Sequence, residues 1–267
     1  MGLFSRKKAA PPRVGLALGG GGARGFIEIG ALKAFSDLGI RFDVCVGTSV
    51  GSIVGALYAA GVDIDEIIEV AEALEMSDLH GKLLIKPDDP KKIGAIVYKI
   101  IGDAKIENLP IPYAAVATDL KTGKQIVLDK GSVIDAVSAS SAYPIVYSPL
   151  TVNGMNLSDG GLVNNLPVDV CRMLGAEKVV AVDLANKMRG SGTDGTGIID
   201  MIKAVFSIMS NNASVMGRTR ADVLISPDTT PYSAASKGKF REMIELGYSA
   251  AKEKGEEIKA LFAPVKK

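Results

Sequence analysis

The sequence has few of the residues on which several kinds of protein site depend. It contains no tryptophan, two cysteines and one histidine in 267 residues. Cys45 and Cys171 lie in apolar surroundings without metal-ligand spacing, which predicts a disulfide-free, cytoplasmic protein that needs no metal or cofactor. No apolar run approaches the roughly 18 residues of a membrane span, and no signal-peptide core follows the first residues.

Charge is spread unevenly along the chain. The net charge is +1, yet residues 1–13 carry four basic side chains and no acidic one. The remainder is slightly acidic, which argues against nucleic-acid binding. Residues 1–12 are predicted to form a flexible, solvated basic tail, with weak peripheral contact to an anionic membrane at its inner face as the alternative. Residues 13–267 are predicted to form one domain, and the composition leaves its oligomeric state open.

After the tail, short apolar runs rich in β-branched residues alternate with stretches of helical periodicity. This alternation predicts a three-layer α/β fold with a mostly parallel central sheet and helices on both faces. A Gly/Ser/Thr-rich stretch at 186–197 predicts a flexible loop. The Met-rich helix predicted over 198–216 is interpreted as ordinary core, with an acyl-chain groove as the alternative. An amphipathic helix is predicted over 241–262.

The stretch 44–56 carries the strongest chemical signal. A short apolar strand leads into Gly47-Thr48-Ser49-Val50-Gly51, and small apolar residues typical of a packed helix follow. A sharp strand-to-helix turn exposes the central serine and needs glycine where backbones approach closely. The N-terminus of the helix offers unpaired N–H groups to a developing anion. This context predicts that Ser49 is a nucleophile.

A second glycine-rich turn follows the strand predicted at 14–18. Gly19–Gly22 precede Ala23-Arg24-Gly25 and a helix predicted over 26–38, an arrangement that forms an anion cradle. Gly20, Gly22 and Gly25 also fit the dinucleotide fingerprint, which is the alternative. That fingerprint requires an acid at the end of the second strand, where this chain has Gly47-Thr48-Ser49.

The serine needs a group that accepts its proton. The single histidine is His80, and no histidine follows any candidate acid beyond residue 80, so the serine, acid, histidine order of α/β-hydrolases is impossible. The base must then be a carboxylate, a lysine or a tyrosine. His80 is predicted to be a surface turn residue. Asp159, at the end of a predicted strand and before Gly160 and Gly161, is the best alternative base, because a partly desolvated carboxylate can accept a proton. An ordinary Asp-Gly turn remains open.

Five motifs in order resemble those of the patatin-like phospholipases. They are Gly20-Gly21-Gly22-Ala23-Arg24-Gly25, Gly47-Thr48-Ser49-Val50-Gly51, Ala117-Thr118-Asp119-Leu120 with Thr122-Gly123, Ala139-Ser140-Ser141-Ala142-Tyr143-Pro144, and Asp159-Gly160-Gly161. The resemblance is strong over residues 13–185 and weak over the C-terminal third. It implies a Ser-Asp dyad, which agrees with the lack of a usable histidine.

Carried over by position, the resemblance assigns roles to twelve residues. Ser49 would be the nucleophile and Asp159 the base. The N–H groups of Gly20, Gly21, Gly22 and Val50 would form the oxyanion hole, and Arg24 would anchor the glycine loop or meet a lipid phosphate. Gly25, Gly47, Gly51, Gly160 and Gly161 complete the motifs. One departure is Glu28, which stands where many bacterial members of the family carry histidine.

The function implied is a serine esterase that cleaves carboxylic esters of phospholipids, lysophospholipids or related lipids through an acyl-enzyme. Two alternatives belong to other classes. One is a non-catalytic regulatory or adaptor protein on the same fold, and the other is a dinucleotide-binding domain. The sequence does not indicate the head group, the acyl position or the chain length of the substrate.

Overall fold

A computed structural model describes residues 10–76, 87–185 and 197–264 of the chain. His80, nearly all of the predicted tail and residues 186–196 of the predicted loop lie outside the described residues. The described strands are β1 Val14–Leu18, β2 Val44–Thr48, β3 Tyr113–Asp119, β4 Gln125–Leu128, β5 Leu150–Val152, β6 Met155–Asp159, β7 Lys178–Val182 and β8 Val223–Ile225.

These strands form one mixed sheet in the order β5-β6-β3-β2-β1-β7-β8, with β4 paired to β3. The strands β3, β2, β1, β7 and β8 are parallel to one another. Strands β4 and β6 are antiparallel to β3, and β5 is antiparallel to β6. The predicted mostly parallel sheet is therefore confirmed.

Helices separate most of these strands. They are α1 Gly25–Asp37, α2 Val50–Ala59, α3 Ile64–Met76, α4 Lys91–Ile101, α5 Val133–Ser140, α6 Val168–Met173, α7 Ile198–Ala213, α8 Val215–Arg220, α9 Phe240–Glu253 and α10 Gly255–Leu261. In the described part of the chain, no helix combines the length and the apolar character that a bilayer crossing requires.

The sheet separates two apolar cores, as the alternation of side chains along a buried strand requires. Leu16 and Leu18 of β1 join the larger core, which includes residues of α1, α2, α5, α9 and α10. Ala17 points the other way and joins a smaller core with residues of α6 and β7. All five residues of β1 are buried. Helices on both faces give the predicted three-layer fold, which is confirmed.

The topology gathers several loops at one edge. The carboxyl ends of parallel strands meet at the same edge of a sheet, and ligands bind there in open α/β folds. The glycine loop follows β1, and Ser49 follows β2. Register places Asp159 at the same level, because Thr48 pairs with Val116 of β3 and Asp159 pairs with the next residue, Ala117. Two residues far apart in sequence therefore lie on either side of β3.

The two C-terminal helices predicted as continuous are each broken. The first ends at Ala213, because Ser214 donates its hydroxyl back to the Ser210 carbonyl (2.9 Å) and a new helix starts at Val215. Such back-bonding bends helices. The second ends at Glu253, and α10 begins at Gly255, where a Cβ atom would lie 2.8 Å from Leu38.

The interpretation of the Met-rich helix as core is wrong. Met201, Ile202, Val205, Ile208 and Met209 of α7 are exposed. Of the apolar residues predicted to pack there, Phe206 alone is half-buried. Helical spacing identifies a stripe of side chains but not which way the stripe faces, and here it faces solvent.

Candidate active site

Ser49 occupies a sharp turn between β2 and α2. Its φ of 53° and ψ of −127° lie where residues with a Cβ atom are rarely found. The surrounding structure fixes this conformation: the Ser49 N–H donates to Ser140 Oγ (2.9 Å), and Ser140 Oγ donates to the Val116 carbonyl (2.6 Å). Strain of this kind persists where neighbours hold it and is frequent at functional sites.

Ser49 and Asp159 are in direct contact. Ser49 Oγ donates to Asp159 Oδ2 at 2.7 Å, and the other carboxylate oxygen accepts the Gly161 N–H at 2.8 Å. The Asp159 backbone is fixed on both sides, because its N–H donates to the Ala142 carbonyl (3.1 Å) and its carbonyl accepts the Thr118 hydroxyl (2.8 Å). Asp159 is buried, whereas Ser49 is partly exposed. The pair therefore has one buried member and one that a ligand can reach.

Burial raises the pKa of Asp159 to about 6, against opposing contributions from the hydrogen bonds of Gly161 and Ser49. Desolvation disfavours the charged carboxylate, and the two hydrogen bonds favour it. A carboxyl group with this pKa is mostly ionised at neutral pH and is more basic than a surface aspartate. It can therefore accept a proton from the hydroxyl that it contacts.

The glycine loop is held at both ends. The Gly19 N–H donates to the Val182 carbonyl (3.1 Å), the Gly20 N–H donates to the Asn165 carbonyl (3.1 Å), and the Ala23 N–H donates to the Ala234 carbonyl (2.9 Å). Among the described residues, the N–H groups of Gly21 and Gly22 have no acceptor. Because the Gly20 N–H is engaged, the geometry narrows the expected set of oxyanion donors to Gly21, Gly22 and Val50.

Val50 is included among the expected oxyanion donors because its N–H is free of helix bonding. It is the first residue of α2, and the first N–H groups of a helix have no intrahelical partner. A Cβ atom at Gly20 would lie 3.2 Å from Ser49 Cβ, so the glycine loop lies directly against the serine. The glycine loop and the N-terminus of α2 thus both lie next to Ser49, and backbone N–H groups beside a reacting group are the donors that stabilise an oxyanion.

Asn165 connects the glycine loop to the C-terminal helices. Its side-chain Nδ2 donates to the Gly20 carbonyl (3.2 Å) and to Ser214 Oγ (3.1 Å). The backbone carbonyl of Asn165 accepts the Gly20 N–H. Ser214 is the residue between α7 and α8. The side chain is buried, so these contacts are shielded from water. Asn165 therefore holds both the loop and the helix junction.

Arg24 lies within the loop and not at its mouth. Its Nε donates to the Gly21 carbonyl (3.1 Å), and the residue is buried. Burial lowers the pKa of Arg24, and the nearby Asp183 carboxylate partly opposes this. The geometry therefore favours loop anchoring over contact with a lipid phosphate.

The other motif glycines permit close backbone approach. A Cβ atom at Gly25 would clash with the Val50 side chain, one at Gly47 with the Gly51 backbone, and one at Gly51 with the Leu18 carbonyl. A Cβ atom at Gly160 would clash with the Val116 carbonyl, and one at Gly161 would lie 3.0 Å from Asp159 Oδ1. The glycines thus let β1, β2 and the turn after β6 meet beside Ser49.

Glu28 lies in α1 and is completely buried. Among the residues that the structure describes, neither of its carboxyl oxygens has a hydrogen-bond partner. Burial raises the pKa of Glu28 well above its usual value, and the Asp183 carboxylate adds to this rise. Asp183 itself pairs with Arg218 of α8. The side chain that departs from the family pattern is thus a buried acid in α1, and none of its described interactions involves the serine.

Helix α7 packs against the Gly160–Leu162 turn that follows Asp159. The ring of Phe206 lies 4.3 Å, centroid to centroid, from the ring of Tyr143. Burial, together with the charge of Asp159, raises the pKa of Tyr143 to about 12. The inner side of α7 therefore adjoins the carboxylate.

The described residues hold no group of three or more His, Cys, Asp or Glu side chains that could hold a metal ion.

The chain has a three-layer α/β fold, and a serine at a strand-to-helix turn is hydrogen-bonded to a buried aspartate. We compared this chain with known protein families. The patatin-like phospholipase family profile matches residues 16–172. The chain therefore belongs to the patatin-like phospholipase family.

Relatives of known sequence agree with this assignment. The chain is 37% identical over 196 residues to an uncharacterized NTE family protein of Mycobacterium tuberculosis, covering 70% of this chain and 53% of that protein. It is 29% identical over 279 residues to lysophospholipase nte1 of Aspergillus oryzae, covering 92% of this chain and 18% of the relative. The chain thus spans about half the length of the mycobacterial protein, and much less of the fungal one.

Solved structures show the same fold at low sequence identity. VipD of Legionella pneumophila matches with a TM-score of 0.58 and 15% identity, over 93% of this chain and 68% of that one. Human GIVD cytosolic phospholipase A2 matches with a TM-score of 0.51 and 12% identity, over 94% of this chain and 58% of that one.

Three supporting residues carry no role in the sequence analysis. Ser140 and Thr118 lie in motifs that match the family, and Asn165 follows Asp159 closely, but nothing in their spacing identifies their partners. Their contacts are long-range: Ser140 meets Ser49 from 91 positions away, and Asn165 meets Gly20 from 145 positions away. Only the packed fold brings these groups together.

We predict that Asn165→Ala lowers the free energy of unfolding by about 1–3 kcal/mol, because two buried hydrogen bonds lose their donor. The hydrolysis rate for a short ester falls at least about tenfold, since the glycine loop loses the side-chain donor to the Gly20 carbonyl and is positioned less precisely. Chemical denaturation and ester kinetics measure the two effects. Asn156→Ala, at an exposed position of β6, is the matched control. Full activity of Asn165→Ala would contradict the anchoring role.

We predict that Glu28→Gln becomes more stabilising, relative to wild type, as pH rises. A carboxyl group whose pKa is raised by folding supports stability while it is protonated, and this support is lost as pH increases above its unfolded pKa. The amide has no such titration. Thermal unfolding at pH 5 and pH 8.5 measures the difference in Tm, and Glu66→Gln on the exposed side of α3 controls for the exchange itself. A difference independent of pH would show that Glu28 does not titrate as its surroundings require.

Proposed function

We propose that the chain is a serine esterase that hydrolyses carboxylic esters of phospholipids, lysophospholipids or related lipids through a Ser49–Asp159 dyad. The observation that carries this proposal is the 2.7 Å hydrogen bond from Ser49 Oγ to the buried Asp159 carboxylate. A serine hydroxyl is a weak nucleophile until a base accepts its proton. Here a base with a raised pKa is already in contact with it.

The reaction proceeds in two halves. Ser49 Oγ attacks the ester carbonyl carbon while Asp159 Oδ2 accepts the hydroxyl proton. The negative charge that develops on the carbonyl oxygen faces the N–H groups of Gly21, Gly22 and Val50, where each donor contributes about 2.7–4 kcal/mol to lowering the barrier. The alcohol leaves with the proton, and an acyl-serine remains. Water, deprotonated by Asp159, then attacks the acyl carbon; the bond to Ser49 Oγ breaks, Oγ takes the proton back from Asp159, and the fatty acid leaves.

The proposal that the substrate is a lipid ester rests on the similarity of this chain to other proteins. Family membership comes from the profile match over residues 16–172, and the fungal relative is named a lysophospholipase. These names describe other and longer proteins, so substrate class is part of the proposal for this chain. The partly exposed Ser49 and the outward apolar side chains of α7 are compatible with an apolar substrate.

We predict that Ser49→Ala and Asp159→Asn each lower kcat/KM for p-nitrophenyl butyrate about a thousandfold or more, because each removes one half of a unit that acts jointly. Ser249→Ala, on the exposed side of α9, is the control and keeps full activity. If Asp159→Asn keeps a tenth of the activity, another group accepts the proton. If wild type hydrolyses neither short esters nor dispersed phospholipid, the adaptor alternative gains support.

We predict that kcat/KM rises with pH through an apparent pKa of about 6 and is constant above pH 7. The carboxylate is the active form, and burial sets its pKa to about 6. At pH 5 the rate is about one tenth of the plateau, since one group must lose a proton. Initial rates in buffers of constant ionic strength measure the profile. A profile without an inflection between pH 5 and pH 7 would argue against Asp159 as the base.

A further inference from the structure

Helix α7 presents its large apolar side chains to solvent. These residues recur three and four positions apart, which places them on one face of a helix. Each is at least 36% exposed. We name them the α7 apolar face: Ile198, Met201, Ile202, Val205, Ile208 and Met209.

The orientation of this helix is the reverse of the usual one. A surface helix normally turns its apolar stripe toward the core. In α7 the inner side carries Ser210, which is buried, and Phe206, which is half-buried. Val215 and Met216 of α8 are also exposed, and they follow directly in the chain. A group of exposed apolar side chains this large marks an interaction surface.

The α7 apolar face lies next to the candidate active site. Phe206, on the inner side of the same helix, contacts Tyr143 with its ring tilted by 54°, and Ser210 Oγ would lie 3.1 Å from a Cβ atom at Gly161. Gly161 is the residue whose N–H holds the Asp159 carboxylate. Whatever covers the α7 apolar face is therefore separated from the dyad by the thickness of one helix.

The same edge of the sheet carries positive charge. The segment that follows β8 contacts the glycine loop, because the Ala23 N–H donates to the Ala234 carbonyl. This segment carries Lys237 and Lys239, whereas Arg241 pairs with Glu72 of α3 (3.6 Å) and the acids Asp228 and Glu242 flank the segment. Lys237 and Lys239 are exposed. Basic side chains beside an apolar surface are attracted to anionic phospholipid headgroups.

We propose that the α7 apolar face docks on an anionic phospholipid surface, with its side chains in the boundary between headgroups and acyl chains and with Lys237 and Lys239 among the headgroups. Docking in this orientation turns the carboxyl edge of the sheet, and with it Ser49, toward the membrane. A lipid then reaches the serine without leaving the apolar layer completely. The identity of the substrate rests on the proposed function, whereas docking itself does not.

Vesicle flotation with the full chain tests the proposal. The Ser49→Ala background keeps the vesicles intact, and these consist of phosphatidylcholine with or without phosphatidylglycerol. We expect Met201→Glu/Ile208→Glu to lower the partition coefficient on phosphatidylglycerol vesicles at least about tenfold, because two charges enter the apolar layer. Circular dichroism and thermal unfolding verify folding. If the double variant does not fold, Ile198→Glu, at the 70% exposed first residue of α7, replaces it.

Met173→Glu is the matched control. Met173 is 61% exposed and Met201 is 56% exposed, so the two exchanges have similar chemistry and accessibility. Met173 ends α6, directly before β7 begins, and therefore lies at the opposite edge of the parallel strands. The proposal requires Met173→Glu to bind vesicles like the parent protein. Equal loss of binding in both variants would overturn it.

Three further outcomes overturn the proposal: wild type that fails to float with any vesicle, vesicle binding that is unchanged in the α7 variant, and a dimer in light scattering that only the α7 variant dissociates. The last would assign the face to a second copy of the chain. The same α7 exchanges are also made in the protein that retains Ser49, and its hydrolysis of p-nitrophenyl butyrate is measured. This measurement separates the proposed esterase function from the proposed membrane docking. Vesicle binding that depends on α7 without esterase activity refutes the proposed function alone, and esterase activity without vesicle binding refutes the docking alone.

Discussion

The site depends on one contact, the hydrogen bond between the Ser49 hydroxyl and the buried Asp159 carboxylate, whose residues are 110 positions apart in the chain. Strand register establishes this contact. Strand β3 pairs with β2 on one side and with β6 on the other, so the end of β2 and the end of β6 lie at the same level. A slip of one residue in either pairing would turn side chains to the opposite face of the sheet. The pairing of the strands thus determines the distance between the Ser49 and Asp159 backbones.

Several features of the site work against stability. Ser49 has a positive φ and Asp159 is a buried ionisable group, while Glu28 in the neighbouring helix α1 is a buried acid without a hydrogen-bond partner among the described residues. Features of this kind cost about 1–3 kcal/mol each and persist only where the rest of the structure supports them. The support here comes from the fully buried β1, the hydroxyls of Ser140 and Thr118, and the amide of Asn165. Function and stability therefore make opposite demands on the same few residues.

Much of the fold and the core of the site follow from local sequence patterns. The strand-to-helix turn at Ser49, the glycine loop and the mostly parallel sheet each have a signal within a few residues, and the structure contains all three. The bond between Gly20 and Asn165 has no local signal, because it depends on how β1 and the segment after β6 pack. It also changes one expectation, since the Gly20 N–H is occupied. The orientation of α7 was predicted wrongly because periodicity does not distinguish an apolar stripe that meets the core from one that meets solvent.

Covalent labelling tests whether Asp159 makes the Ser49 hydroxyl nucleophilic. An alkyl fluorophosphonate reacts with activated serine hydroxyls, and peptide mass spectrometry locates the adduct. We expect an adduct on Ser49 and on no other residue, at a rate that falls at least about a thousandfold in Asp159→Asn because the base has been removed. An adduct on another serine, or equal labelling rates with and without the carboxylate, would contradict it.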